Sequence, residues 1–217
     1  MDAGALHRRL TQVPARPGLP AFERHAAACI LAVAAADAVR DGSGWAAAAG
    51  LDPQRLHGVL DLLAPAEAAA LLALAPVGPE RAARDPVEAA LAGLLTQVIA
   101  PGHPLAFVLP DMVAARAMRP NHLWQDLGLA DRAELSRLMT RAFPYLAARN
   151  RTDMKWKKFL HRQLCVAGEG ALCAAPSCSA CDDIEACFGD EAGESFLAPA
   201  PAAAARGAPL TAAHPMP

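Results

Sequence analysis

Four cysteines crowd into fifteen residues near the end of the sequence: Cys173, Cys178, Cys181 and Cys187, with four, two and five residues between successive thiols. A compact loop with four thiols either ligates metal or forms disulfides, so this stretch is expected to be a loop built around ligation and not part of a packed core. Soft thiolate ligands suit zinc and iron-sulfur clusters equally well. Structural zinc sites usually pair cysteines in knuckles with a longer gap between the pairs, whereas Cys-x4-Cys-x2-Cys matches the leading part of plant-type ferredoxin loops. The spacing leans toward an iron-sulfur cluster and leaves zinc and disulfides open.

The compartment bears on that choice. An apolar run from Ala26 to Ala36 follows Glu23, Arg24 and His25. It is too short for the ~20 residues that span a bilayer, and Pro14, Pro17 and Pro20 suit a secretory leader poorly. The run reads as a buried alanine-rich helix, the chain as cytoplasmic, and the clustered thiols as metal ligands in a reducing setting. A formal charge of −2 gives no electrostatic case for nucleic acid or membrane as partner.

Alanine and leucine dominate and aromatics make up only 5% of the 217 residues, which favours an all-α fold, an irregular helical bundle of one main domain. Residues 1–20 read as a flexible arm. The helical domain is expected over 21–168, the cysteine-rich cluster loop over 169–190, and a disordered Ala/Pro tail over 191–217. Within the domain a helix runs from Ala21 to about Arg40, stopped by Asp41-Gly42-Ser43-Gly44. Asp52-Pro53 and Asp85-Pro86-Val87-Glu88 combine capping aspartates with proline at the first helical position. Leu56, Val59, Leu60 and Leu63 form the apolar stripe behind the first of these. A short helix over Ala66–Ala75 and another over Val108–Met118 complete the first half. Asn121–Leu129 reads as a packed connector. Asp131 caps a further helix with Glu134 at the capping-box position, and Pro144 kinks or ends it. The last helix is expected from Asp153 to about Val166, with Trp156, Phe159, Leu160 and Leu164 on one side.

That last helix leads into the cysteine loop and is basic. Six bases (Arg149, Arg151, Lys155, Lys157, Lys158 and Arg162) stand against one acid between 149 and 162, and six acids with no base follow between 182 and 194. Lys155, Lys157, Lys158 and Arg162 are candidates for contact with an anion such as molybdate or with an acidic partner; the plain alternative is a solvated helix face. Cys165, His161 and His122 are candidate accessory ligands, set against ordinary packed or surface roles. Cys29, inside the alanine-rich helix, reads as structural. No Gly-x-Ser-x-Gly, His-Glu-x-x-His or Walker loop is present, so hydrolase and kinase chemistry have no support.

Asp153-Met-Lys-Trp-Lys-Lys-Phe-Leu-His-Arg-Gln-Leu-Cys165, followed by Cys173-x4-Cys178-x2-Cys181-x5-Cys187-Phe188-Gly189, closely resembles the signature of the NifQ family of nitrogen fixation. His122-Leu-Trp-Gln-Asp-Leu-Gly-Leu129 and Glu134–Asn150 are similar to that family as well. The resemblance implies a metal carrier rather than an enzyme. It implies an iron-sulfur cluster, of mixed Mo-Fe-S type, bound by Cys173, Cys178, Cys181 and Cys187. It also implies molybdenum donation to assembly of the iron-molybdenum cofactor, with the scaffold complex NifEN and the nitrogenase iron protein NifH as partners. A zinc-stabilised helical interaction module and a ferredoxin-like electron carrier are the alternatives, separable by metal content.

Overall fold

Thirteen alanine-rich and other positions of the longest helix are buried, and the rest of the chain packs around it. This is α2 (Ala21–Asp41), in which every residue from Ala26 to Ala35 is buried. Alanine lets neighbouring backbones approach closely and loses no side-chain entropy on burial. Trp45 Nε1–H accordingly reaches the Leu31 carbonyl at 2.9 Å, and Gly128 sits directly against the Cys29 carbonyl. The apolar run is thus the centre of the domain. Gly42, in the left-handed conformation, ends α2 and donates to the Ala38 carbonyl.

The computed structural model describes residues 2–74, 84–166, 191 and 193–197. Among them regular structure is all helical, with no strand. Around α2 are α1 (Ala3–Gln12), α3 (Trp45–Ala48), α4 (Pro53–Leu63), α5 (Ala68–Leu72), α6 (Pro86–Val98) and α7 (Leu109–Ala117). The second half adds α8 (Leu123–Asp126), α9 (Arg132–Ala142), α10 (Pro144–Arg149) and α11 (Trp156–Val166). Helices α1 and α3 pack on α2, α6 on α7, α9 on α10, and α11 lies against α6. No helix among the described residues is long and apolar enough to cross a membrane.

The aspartate caps stand where the sequence puts them. Asp52 accepts from the Arg55 N–H at 2.8 Å ahead of Pro53, Asp85 from Val87 at 2.8 Å ahead of Pro86, and Asp131 from Glu134 at 2.8 Å. Pro144 ends α9 and opens α10, with Phe143 as the shared boundary.

Three expectations need correction. Residues 1–20 are not simply an arm, since α1 is capped by Asp2 and buries Leu6 and Leu10 against α2. Its apolar stripe is only these two leucines, too short to stand out beside three prolines. The last helix starts at Trp156 rather than Asp153. Asp153 takes a positive φ of 53°, and Asn150 grips Met154 from both sides, Oδ1 accepting from its N–H at 3.0 Å and Nδ2 donating to its carbonyl at 2.9 Å. The segment expected to be a disordered tail from 191 begins with residues docked on the domain: Glu191 pairs with Arg132, Gln125 Nε2 donates to the Glu194 carbonyl at 3.1 Å, and Leu197 packs on the core. The rest of that tail, and the cluster loop at 169–190, lie outside the described residues.

Candidate metal centre

Helix α11 delivers the chain to the cysteine loop, and it is fixed firmly. Trp156, Phe159 and Leu160 are buried; the Trp156 and Phe159 rings meet edge to face with centroids 5.7 Å apart, and Trp156 Nε1–H donates to Ser136 Oγ at 3.3 Å.

The basic residues of this helix divide in two. Lys158 is exposed, and Lys155 and Arg162 are half-buried. Lys157 instead turns inward. Its ammonium bonds Asp126 Oδ2 at 2.5 Å and the Arg119 carbonyl, which takes it out of the expected anion-facing set. Asp126 is the hub of a buried network. Its carboxylate accepts from Asn121 Nδ2 at 3.0 Å, and its carbonyl accepts from Arg116 Nε at 2.6 Å. Arg116, 1% exposed, continues to Asp37 Oδ2 at 2.7 Å, an ion pair whose N–H is not aligned for a hydrogen bond. Burial lowers the Lys157 pKa while Asp126 opposes the shift. These contacts clamp α11 to α7 and α8.

On the far side of the loop, Glu191 returns to the start of α9. Arg132 Nη1 meets its Oε2 at 2.5 Å, and His122 Nδ1 lies 3.4 Å from Oε1. His122 therefore stands beside the residue that follows the loop, and its backbone N–H donates to Gln125 Oε1 at 3.3 Å. His161 points a buried Nε2 that has no hydrogen-bond partner among the described residues. Burial, then Lys158 and Lys157, hold its pKa below the ordinary imidazole range, so at neutral pH it carries a lone pair. Cys165 lies in the last turn of α11. Cys173, Cys178, Cys181 and Cys187 fall outside the described residues. As a donor set, four thiolates fit an iron-sulfur cluster by their softness and number.

The sequence profile of the family described as NifQ matches residues 26–189, a span that runs from within α2 through α11 and takes in all four loop cysteines. The chain belongs to the NifQ family. The Sinorhizobium fredii protein named "Protein NifQ homolog" is 38% identical over 174 residues, 80% of this chain and 75% of that protein. "Protein NifQ" of Klebsiella pneumoniae is 42% identical over 106 residues, 48% of this chain and 59% of its own length. "Protein NifQ" of Azotobacter vinelandii is 45% identical over 83 residues, 38% and 43%. No solved structure matches this chain.

Several site-supporting residues were not legible in advance. Arg132, Asp126 and Glu191 act through contacts 21 to 59 residues away in sequence, which no local pattern marks. One signal was available: His25 and Cys29 are four residues apart on α2, the spacing that puts two side chains on one helix face. Cys29 is buried, with its thiol 3.5 Å from His25 Nε2.

Proposed function

We propose that this NifQ-family chain is a cytoplasmic molybdenum carrier that donates the metal for biosynthesis of the nitrogenase iron-molybdenum cofactor. Cys173, Cys178, Cys181 and Cys187 would hold the iron-sulfur cluster, which when bound supplies the sulfur ligation for molybdenum. The observation that carries this reading is the intact Cys-x4-Cys-x2-Cys-x5-Cys spacing inside a family match that runs to residue 189.

The surroundings support a donor rather than a catalyst. A cargo metal must be held by ligands that can exchange, and cysteine thiolates meet that requirement. Lys158 lies exposed on the helix leading in, with Lys155 and Arg162 beside it, so the approach is positive while its base is locked by Lys157 and Asp126. Positive charge there draws an oxyanion such as molybdate, or an acidic face of an acceptor. The acceptors the reading implies are NifEN and NifH.

The test is a ligand substitution read by two signals. In Cys178→Ser or Cys181→Ser protein, cluster absorbance and molybdenum transfer to the NifEN scaffold are lost, while helix content by circular dichroism stays near that of the parent. Retained transfer in both variants contradicts the reading.

A further inference from the structure

Away from the cysteine loop, one group of ligand-type side chains converges. His7 on α1 and His25 and Cys29 on α2 each offer one donor atom, and the three atoms lie within 4.8 Å of one another. His7 Nε2 is 3.1 Å from His25 Nδ1, and Cys29 Sγ is 3.9 Å from the same nitrogen and 3.5 Å from His25 Nε2. Around a tetrahedral ion, bonds of about 2.0 Å to nitrogen and about 2.3 Å to sulfur set N–N at about 3.3 Å and N–S at about 3.5 Å. The N–N separation already matches, while the sulfur lies beside the His25 ring, so the Cys29 side chain has to turn from Nε2 toward Nδ1 to complete the set.

The second nitrogen of His25 is already committed. Nε2 lies 2.9 Å from Glu134 Oε1, and Glu134 is itself fixed, its Oε2 accepting from the Ala130 N–H at 2.7 Å. An Nε2–H donated to a carboxylate leaves Nδ1 as the lone pair, the carboxylate–histidine arrangement that orients metal-bound imidazoles. This explains why Glu134 does not close a reciprocal capping box on Asp131: one oxygen serves His25 and the other reaches Ala130. His7 is held below the ordinary imidazole range by burial and then by His25, so it too offers a lone pair at neutral pH.

We propose that His7, His25 and Cys29 form a second metal site for one zinc-type divalent ion, oriented by Glu134, with water in the fourth position. The ring edges of His7 and His25 are half-buried, which gives an ion and its water a way in, while Cys29 closes the inner side. Without an ion, the His7 Nε2–H donates to His25 Nδ1 and the Cys29 thiol stays protonated, burial and then Glu134 pushing it well up. Loading displaces the thiol proton, while His7 keeps its single ring proton by moving it from Nε2 to Nδ1, so one proton is released and affinity rises with pH. The ion would fasten α1 to α2 and, through Glu134, to α9. His7 and His25 precede the family-matched span, which begins at residue 26, so the site is separate from the cysteine-loop reading and does not rest on it.

The experiment uses the full chain with Cys173, Cys178, Cys181 and Cys187 all changed to serine, titrated anaerobically with cobalt(II). One equivalent is expected to bind with a thiolate-to-cobalt charge-transfer band, and zinc should displace it. Cys29→Ser removes the band, and Glu134→Gln weakens binding on the order of tenfold. Because Cys29 is buried and its replacement can unsettle α2, His7→Gln on the half-buried side serves as the second variant: it should lose tight one-to-one binding with unchanged helix content. Absence of the band, a band that survives Cys29→Ser, or unaltered affinity in His7→Gln overturns the proposal.

Discussion

Arg132 Nη1 and Glu191 Oε2 meet at 2.5 Å across 59 residues of sequence, and the same guanidinium holds Asp153 Oδ1 and the Asp153 carbonyl, each at 2.8 Å, and the Met154 carbonyl at 3.2 Å through Nη2. One side chain at the start of α9 therefore secures the chain just before α11 and just after the cysteine loop. Arg132→Ala removes the guanidinium from the Glu191 carboxylate, which is 5% exposed. Amide hydrogen exchange at 193–197 should then speed up by about tenfold or more while the α2 amides are unaffected. Unchanged exchange at 193–197 would mean that the pair does not anchor this segment.

The basic residues of α11 should separate into two behaviours. Asp126→Ala leaves the inward ammonium of Lys157 without its carboxylate, a loss of about 3 kcal/mol or more in urea unfolding. Lys158→Gln, at the exposed position, should leave the unfolding midpoint nearly unchanged and weaken molybdenum loading or transfer. Equal stability losses in both would show that the helix has no outward-facing functional charge.

Gly128 carries a φ of 71°, and a Cβ there would lie 2.6 Å from Val33 Cγ2 and 2.9 Å from the Cys29 carbonyl oxygen. The strained backbone alone costs a non-glycine residue about 1–3 kcal/mol, and the rigid α2 carbonyl cannot yield as a flexible side chain would. Gly128→Ala should therefore lower stability by about 2 kcal/mol or more, measured by denaturant unfolding. A neutral outcome would mean that α2 and the α8–α9 turn are less tightly apposed.

The helices were legible where chemistry is local. Asp52-Pro53, Asp85-Pro86 and Asp131 each carry their own cap, and the apolar stripe of α4 is complete within its eleven residues. Short elements with little pattern, such as α1 with two core leucines and the four-residue α3, exist because α2 offers a surface to cover, which only tertiary packing creates. The site divides along the same line. Loop cysteine spacing is a local signal; the inward turn of Lys157 depends on Asp126 being buried 31 residues away. Periodicity had put Lys155, Lys158 and Arg162 on a separate face from the apolar stripe but could not reveal what Lys157 meets.

His103 gives the fold an acid-sensitive point. Its Nδ1 accepts from the Leu105 N–H at 3.2 Å, which places the proton on a buried Nε2. Burial lowers its pKa from 6.5, with Glu23 opposing and Arg141 adding. The folded state then binds fewer protons than the unfolded chain, so this contribution to stability is present above pH 6.5 and is lost as pH falls through the lowered value. Melting temperature should decline between neutral pH and about 5, less steeply in His103→Asn, which keeps an acceptor for Leu105. Identical slopes in the two proteins would remove His103 from the cause.

The proposed function puts an iron-sulfur cluster holding molybdenum on the four-thiol loop. Its most direct test is the metal content of the full chain purified without oxygen from cells supplied with iron and molybdate, read together with the visible spectrum. Iron and molybdenum bound together, with cluster absorbance that disappears in Cys178→Ser, is the predicted result. Zinc without iron in a colourless protein, or iron without molybdenum, would contradict it.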